Sequence, residues 1–197
     1  MFFAINKFAV LVVLVALSGC AGTNFVRPDT DVFKNGQTSY TQVVQRMGKP
    51  RREGSALKNE KELKSISYAY AETGGKPLKE GVIPARAMSF YFYNDTLVGY
   101  EFVSSWAEDS SDFDAKKISA IVKGKTTKAE VMQLLGKPSG FYVYPMMKSE
   151  SGEAAAYVYS DAKGTVFNMK FFRKALVVSF DGNGVTTDVD YSSSGVE

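Results

Sequence analysis

Ser39-Tyr40-Thr41-Gln42-Val43-Val44-Gln45-Arg46-Met47-Gly48-Lys49-Pro50 returns 88 residues later as Thr127-Lys128-Ala129-Glu130-Val131-Met132-Gln133-Leu134-Leu135-Gly136-Lys137-Pro138. Each stretch opens with a capping box, Ser39 with Gln42 and Thr127 with Glu130, in which hydroxyl and longer side chain satisfy orphan amides reciprocally. Tyr40, Val43, Val44 and Met47 in the first, and Val131, Met132 and Leu135 in the second, fall on one face at helical spacing. Gly48 and Gly136 suit a left-handed cap, and Pro50 and Pro138 forbid continuation. Two helices of two to three turns are predicted, too short to stand without a sheet.

Working outward, the same 88-residue offset links Asn35-Gly36-Gln37-Thr38 to Lys123-Gly124-Lys125-Thr126, Phe92 to Phe180, Leu97 to Val185, and Ser104-Ser105 to Ser192-Ser193. A series at one offset marks an internal repeat. Ile118, Ile121 and Val122 suggest a further short helix in the second copy, with a weaker counterpart at Val32 and Phe33. Strands are predicted at Ser65–Ala71, Arg86–Tyr93 and Leu97–Ser104, and again at Ala155–Ser160, Lys174–Asp181 and Val185–Tyr191. Asn94-Asp95-Thr96 and Gly182-Asn183-Gly184 serve as the hairpin turns.

The first residues read as an address. Lys7, ten apolar residues from Phe8 to Leu17, and small residues after them form a signal peptide, too short to span a bilayer. Leu17-Ser18-Gly19-Cys20 resembles the lipobox of bacterial lipoproteins. That resemblance implies cleavage before Cys20 and acyl chains on it, and several chains hold durably where one is marginal. Ala21 stands where an inner-membrane retention signal would place Asp, so the resemblance implies an outer-membrane anchor facing the periplasm.

Thr127-Lys128-Ala129-Glu130-Val131 running to Leu135-Gly136-Lys137-Pro138, with the hairpin Phe180-Asp181-Gly182-Asn183-Gly184-Val185, is similar to the signature of the SmpA/OmlA (BamE-like) outer-membrane lipoproteins. The resemblance covers nearly all of the mature chain, once per copy. It implies an α+β fold of two tandem BamE-like domains, each a short helix pair packed on a three-stranded antiparallel sheet. The expected organisation is a signal peptide over 1–19, a lipidated tether over 20–30, domain 1 over 31–107, an acidic linker over 108–114, domain 2 over 115–192 and a tail over 193–197. Tandem copies also occur in the similarly folded β-lactamase inhibitor proteins, where paired domains form one concave binding sheet.

Composition narrows the chemistry. The 197 residues are 45% hydrophobic and 13% aromatic, a globular proportion. There is no histidine and one cysteine, which removes the commonest general base, most zinc sites and any internal disulfide. The formal charge is +3, and a leader carrying only Lys7 leaves 23 basic against 21 acidic residues, a balance without the excess that nucleic-acid binding shows. Gly124-Lys125-Thr126 echoes a phosphate loop but has Ser119 where that loop needs glycine, so a helix-start turn is the reading. Asp181-Gly182-Asn183-Gly184 echoes a calcium loop without the later bidentate acid, and reads as a hairpin turn. Glu108, Asp109, Asp112 and Asp114 read as a solvated linker. Aromatic strands with Arg86 and Lys174 read as core, and Trp106 as a cover for the seam between copies.

Two long connections, Glu72–Ala85 and Asp161–Arg173, occupy equivalent places, and loops of this length are often functional. The second carries Val166, Phe167, Met169, Phe171 and Phe172. It reads either as an extended strand or as a contact surface, with Phe171 or Phe172 structural and Val166, Phe167 and Met169 the candidate contacts. The expected function is non-catalytic: an outer-membrane lipoprotein supporting envelope integrity or outer-membrane protein assembly. Its partners are the membrane, through Cys20, and envelope proteins, with no cofactor, metal or nucleic acid. The alternative is a periplasmic inhibitor or ligand-binding module that uses a concave sheet face.

Overall fold

The computed structural model describes residues 22–29, 31–165 and 167–196. The signal peptide, Cys20 and Val166 lie outside these residues. Helix α1 spans Tyr40–Met47 and α2 spans Lys128–Leu135. The strands are β1 (Arg52–Lys58), β2 (Lys61–Ala71), β3 (Ala85–Tyr93), β4 (Thr96–Ser104), β5 (Gly140–Tyr142), β6 (Glu153–Lys163), β7 (Lys170–Phe180) and β8 (Thr186–Gly195).

All eight join one antiparallel sheet in sequence order. This corrects the expected pair of α+β domains with separate three-stranded sheets. The fold is a single curled, mostly β sheet with only about 13% helix. The physical reason lies in β1 and β5. Residues 52–58 are almost wholly exposed and lack alternation, so they carry no hydrophobic strand signal. β5 is three residues long, yet it pairs with both β4 and β6 and so welds the halves together. In the first copy its counterpart is the free edge strand.

The repeat is written in hydrogen bonds. Gly36 N–H donates to the Leu97 carbonyl as Gly124 N–H does to Thr186, and Tyr40 N–H to Asp95 as Lys128 N–H does to Gly184. The Tyr68 hydroxyl donates to the Gly48 carbonyl at 2.8 Å, and the Tyr157 hydroxyl to the Gly136 carbonyl at 3.1 Å. Both β3–β4 and β7–β8 shift register at one place, next to Phe92 and next to Phe180.

Both helices pack on the same sheet face. Val43 and Val131 are fully buried at equivalent positions. The α1 core gathers Phe33, Ile66, Tyr68, Phe90, Phe92 and Phe102, and the α2 core Phe113, Ile121, Tyr157, Leu176, Val178 and Phe180, with Phe141 of β5 touching both. Both capping boxes form. The closing glycines differ from the expected left-handed cap. Gly48 has φ 81° and ψ −167°, and Gly136 φ 84° and ψ −161°, a region open essentially to glycine alone that sends the chain straight into the following proline turn. The helix expected around Ile118 is a 3-10 turn at Ala115–Ala120.

The two caps differ in one titratable atom. Glu130 accepts from the Thr127 N–H at 2.8 Å and the Thr127 hydroxyl at 2.9 Å, and these bonds, the backbone one first, hold its carboxyl below the ordinary 4.5. A depressed folded pKa contributes stability above the unfolded value, which is lost as pH falls through the folded one. Glu130→Gln, which reproduces the neutral Gln42 cap, is expected to remove this part of the acid sensitivity. Urea midpoints of both proteins in acid and at neutral pH check it, and an unchanged acid loss would refute it.

Residues 22–29 are not a free tether. The Phe25 ring meets the Phe102 ring edge-on at 6.4 Å, the Phe25 carbonyl accepts from Arg86, and Arg27 lies 5.0 Å over the Phe102 ring and donates to the Pro138 carbonyl.

The acidic stretch 108–114 is not a solvated linker either. Ser111 and Phe113 are buried, and the carboxylates reach inward to two buried cations, Arg86 and Lys174, themselves 88 apart. Arg86 pairs with Glu108 at 2.7 Å and Asp109 at 3.4 Å, and lies 4.9 Å over the Trp106 ring. The Lys174 ammonium lies 2.6 Å from Asp112 and donates to the Phe113 carbonyl. Trp106 stacks on Tyr70 at 6.0 Å, inside the first copy rather than over the seam.

Candidate functional site

The face opposite the helices is paved with small side chains. Ser65, Ser67, Ala69 and Ala71 of β2 share it with Ala85, Ala87 and Ser89 of β3, Gly99 and Val103 of β4, Ala154, Ala156 and Ser160 of β6, and Ala175 and Ser179 of β7, placed there by strand alternation and register. Their small size leaves space on this side of the curled sheet. Residues from β2, β3, β4 and β6, including Ala69, Ala87, Val103 and Ser160, line one common cleft of about 180 Å³.

The lower half of the face is filled. Tyr142, Met146 and Met147 pack on Ala154, Ala156 and Val158, and a methyl group on Gly99 would meet the Tyr142 ring at 2.8 Å. A Cβ on Gly140 would overlap the Tyr100 carbonyl, so β4 and β5 approach as only glycine allows. The upper half is open. A second cleft of about 510 Å³ lies there, between Ala71, Ile83, Ala85 and Ser105 of the first copy and Ser160, Phe171, Arg173 and Ser194 of the second.

A polar group marks the boundary between the halves. The Tyr142 hydroxyl donates to Glu101, and Arg173 of β7 reaches Glu101 of β4 at 3.9 Å. Burial, then the Glu101 charge, push the Tyr142 phenol well above 10, and the same two causes push Tyr91 up to about 12. Both phenols therefore stay protonated and act as hydrogen-bonding groups. Among the described residues no cluster of three metal-ligating side chains occurs, and no helix is long and apolar enough to cross a membrane.

The expected contact residues lie elsewhere. The long connection 161–173 is mostly strand: β6 runs to Lys163, β7 starts at Lys170, and a short hairpin tip remains. Phe172 is buried, Phe171 is 67% exposed and Phe167 96% exposed, while Met169 is half-buried. Asp181 accepts from the Asn183 and Val185 amides, as a hairpin turn does, and Thr126 accepts from the Val122 amide in a helix-start turn. Sequence reading missed the Glu101–Tyr142–Arg173 group, because it joins strands of different copies. The alternating Ala85, Ala87 and Ser89 was the signal available. Against known proteins, the chain matches no family model, no curated protein and no solved structure.

Proposed function

We propose that the chain is a lipoprotein held to the outer membrane through acyl chains on Cys20, facing the periplasm. In this reading it works without catalysis, gripping an envelope protein in support of envelope integrity or outer-membrane protein assembly. The lipobox and the likeness of the cap-and-hairpin signature to the SmpA/OmlA lipoproteins support the address. The observation that carries the contact role is the open upper half of the concave face, where Ala and Ser side chains leave room for a partner's backbone and Glu101 and Arg173 offer both charges at one end. The same concavity favours a second reading, an inhibitor or ligand-binding module whose partner is one soluble protein.

A photo-reactive side chain at Ala87 or Ser194 is expected to crosslink one protein in intact cells, while the same group at exposed Lys116, on the helix side, does not. Barrel-assembly or other membrane components as the product support the first reading, and a soluble enzyme the second. Crosslinks from Lys116 alone would sink both. Cys20→Ser is expected to move the protein from the membrane pellet to the soluble fraction, since acyl chains are its anchor in this account.

A further inference from the structure

Strand register places the two ends of the sheet. Ala71 pairs with Ala85, and Ala85 lies beside Ser105, bonded through the Ser105 amide. The Ile83 amide reaches the Ala162 carbonyl, and Phe172 pairs with both Asp161 and Gly195. These residues therefore share one level, at one end of the sheet.

Three features meet there. Gly22 lies against the Ala69 carbonyl, where β1 no longer covers β2, since β1 ends its pairing at Ser67. Cys20 is two residues earlier, and two residues reach at most about 7 Å. The β6–β7 hairpin projects past this level, with Phe167 96% exposed at its tip and Phe171 67% exposed on its flank. Lys163 and Lys170 stand directly opposite each other at the base of that tip, a like-charge pair that costs folding stability, and neither has an ion pair among the described residues. Lys49 and Arg51, both exposed, line the cleft beside Gly22.

We infer that this end of the sheet rests on the membrane surface, with Phe167 at the hairpin tip entering the interface and Lys163 and Lys170 meeting anionic headgroups. The inference rests on the lipid-anchor reading, and it turns a point attachment into a fixed orientation. Apolar side chains such as Phe bind the interface through buried apolar area, and each lysine near an anionic leaflet adds attraction. Exposed Leu57 offers no equivalent. Its hairpin lies at the other end of the sheet, and Asn59 ties that turn to the Pro145 and Met147 carbonyls.

The test uses the mature, lipidated protein in vesicles of phosphatidylethanolamine and phosphatidylglycerol. A lipidated Cys20 leaves no free thiol, so Phe167→Cys and Leu57→Cys each take one nitroxide label. On reconstitution the label at 167 is expected to lose most of its collisions with an aqueous nickel chelate and to keep those with oxygen, while the label at 57 stays accessible to both. A label at 167 that remains accessible to the chelate in vesicle-bound protein overturns the orientation and leaves the anchor standing. Label uptake by the unsubstituted protein shows a free Cys20, which overturns the anchor reading and the inference with it.

Discussion

Asp112→Ala is expected to lower the unfolding free energy by about 3–5 kcal/mol, the usual cost of stranding a buried charge. Asp112 lies in the stretch that composition marks as a linker, and its carboxylate is only partly buried. Its partner is the reason for the effect. The Lys174 ammonium is 9% exposed at the side chain and 2.6 Å from Asp112. Without that carboxylate it keeps the Phe113 carbonyl and the Phe113 ring, 4.8 Å away. Neither balances a full charge taken out of water. The companion variant makes the argument testable. Adding Lys174→Met to Asp112→Ala is expected to recover most of the loss, because a buried ion pair replaced by apolar groups of similar volume is often neutral or better. Urea denaturation of the two variants decides it, and a double variant no more stable than Asp112→Ala would refute the account. Domains are stable by about 5–15 kcal/mol, so the single change brings the chain near its limit.

Phe90→Ala and Leu176→Ala, one in each copy, are expected to cost about 3–5 and 2–5 kcal/mol and to shift one and the same unfolding transition. Both side chains are fully buried, Phe90 with Phe33 edge-on at 4.9 Å and Tyr68 at 6.2 Å. Independent domains would respond separately, each variant splitting the melt in two. Here the copies are joined by more than chain connectivity. Asn35 donates to the Phe141 carbonyl, Asn59 to Pro145 and Met147, Ile83 N–H to Ala162, and Phe102 N–H to Ser139. Far-ultraviolet circular dichroism and Trp106 fluorescence are expected to move together in both variants. Two resolved transitions in either would contradict the single-sheet account.

Helices α1 and α2, their N-terminal capping boxes and six of the eight strands were legible in the sequence because each rests on local rules: reciprocal caps, helical spacing, alternation and turn residues. Asn94 and Asp95, with φ of 48° and 64°, form the tight turn their identities call for. The joining of the sheets was not legible. It depends on Gly140–Tyr142, three residues whose one ladder partner in β4 is the distant Gly99, and the edge strand Arg52–Lys58 stayed hidden too, because its exposed side chains follow no period. The linker failed for a related reason. A run of carboxylates looks solvated until the cations it meets are known, and Arg86 and Lys174 lie on strands read as core. The concave site was hidden because alanine and serine carry little signal of their own, and only the register sets them side by side.

A chain that says the same thing twice also records which wordings its own architecture accepts. The slot that holds Gln42 in one half holds Glu130 in the other, Arg86 answers to Lys174, Phe33 to Ile121, and the tyrosine that bonds the closing glycine sits at 68 and, one step out of phase, at 157. Swaps between such positions are substitutions the molecule already carries in working form. The 88-residue offset is thus an internal pedigree, from which tolerance at any paired site can be read by comparing the protein with itself.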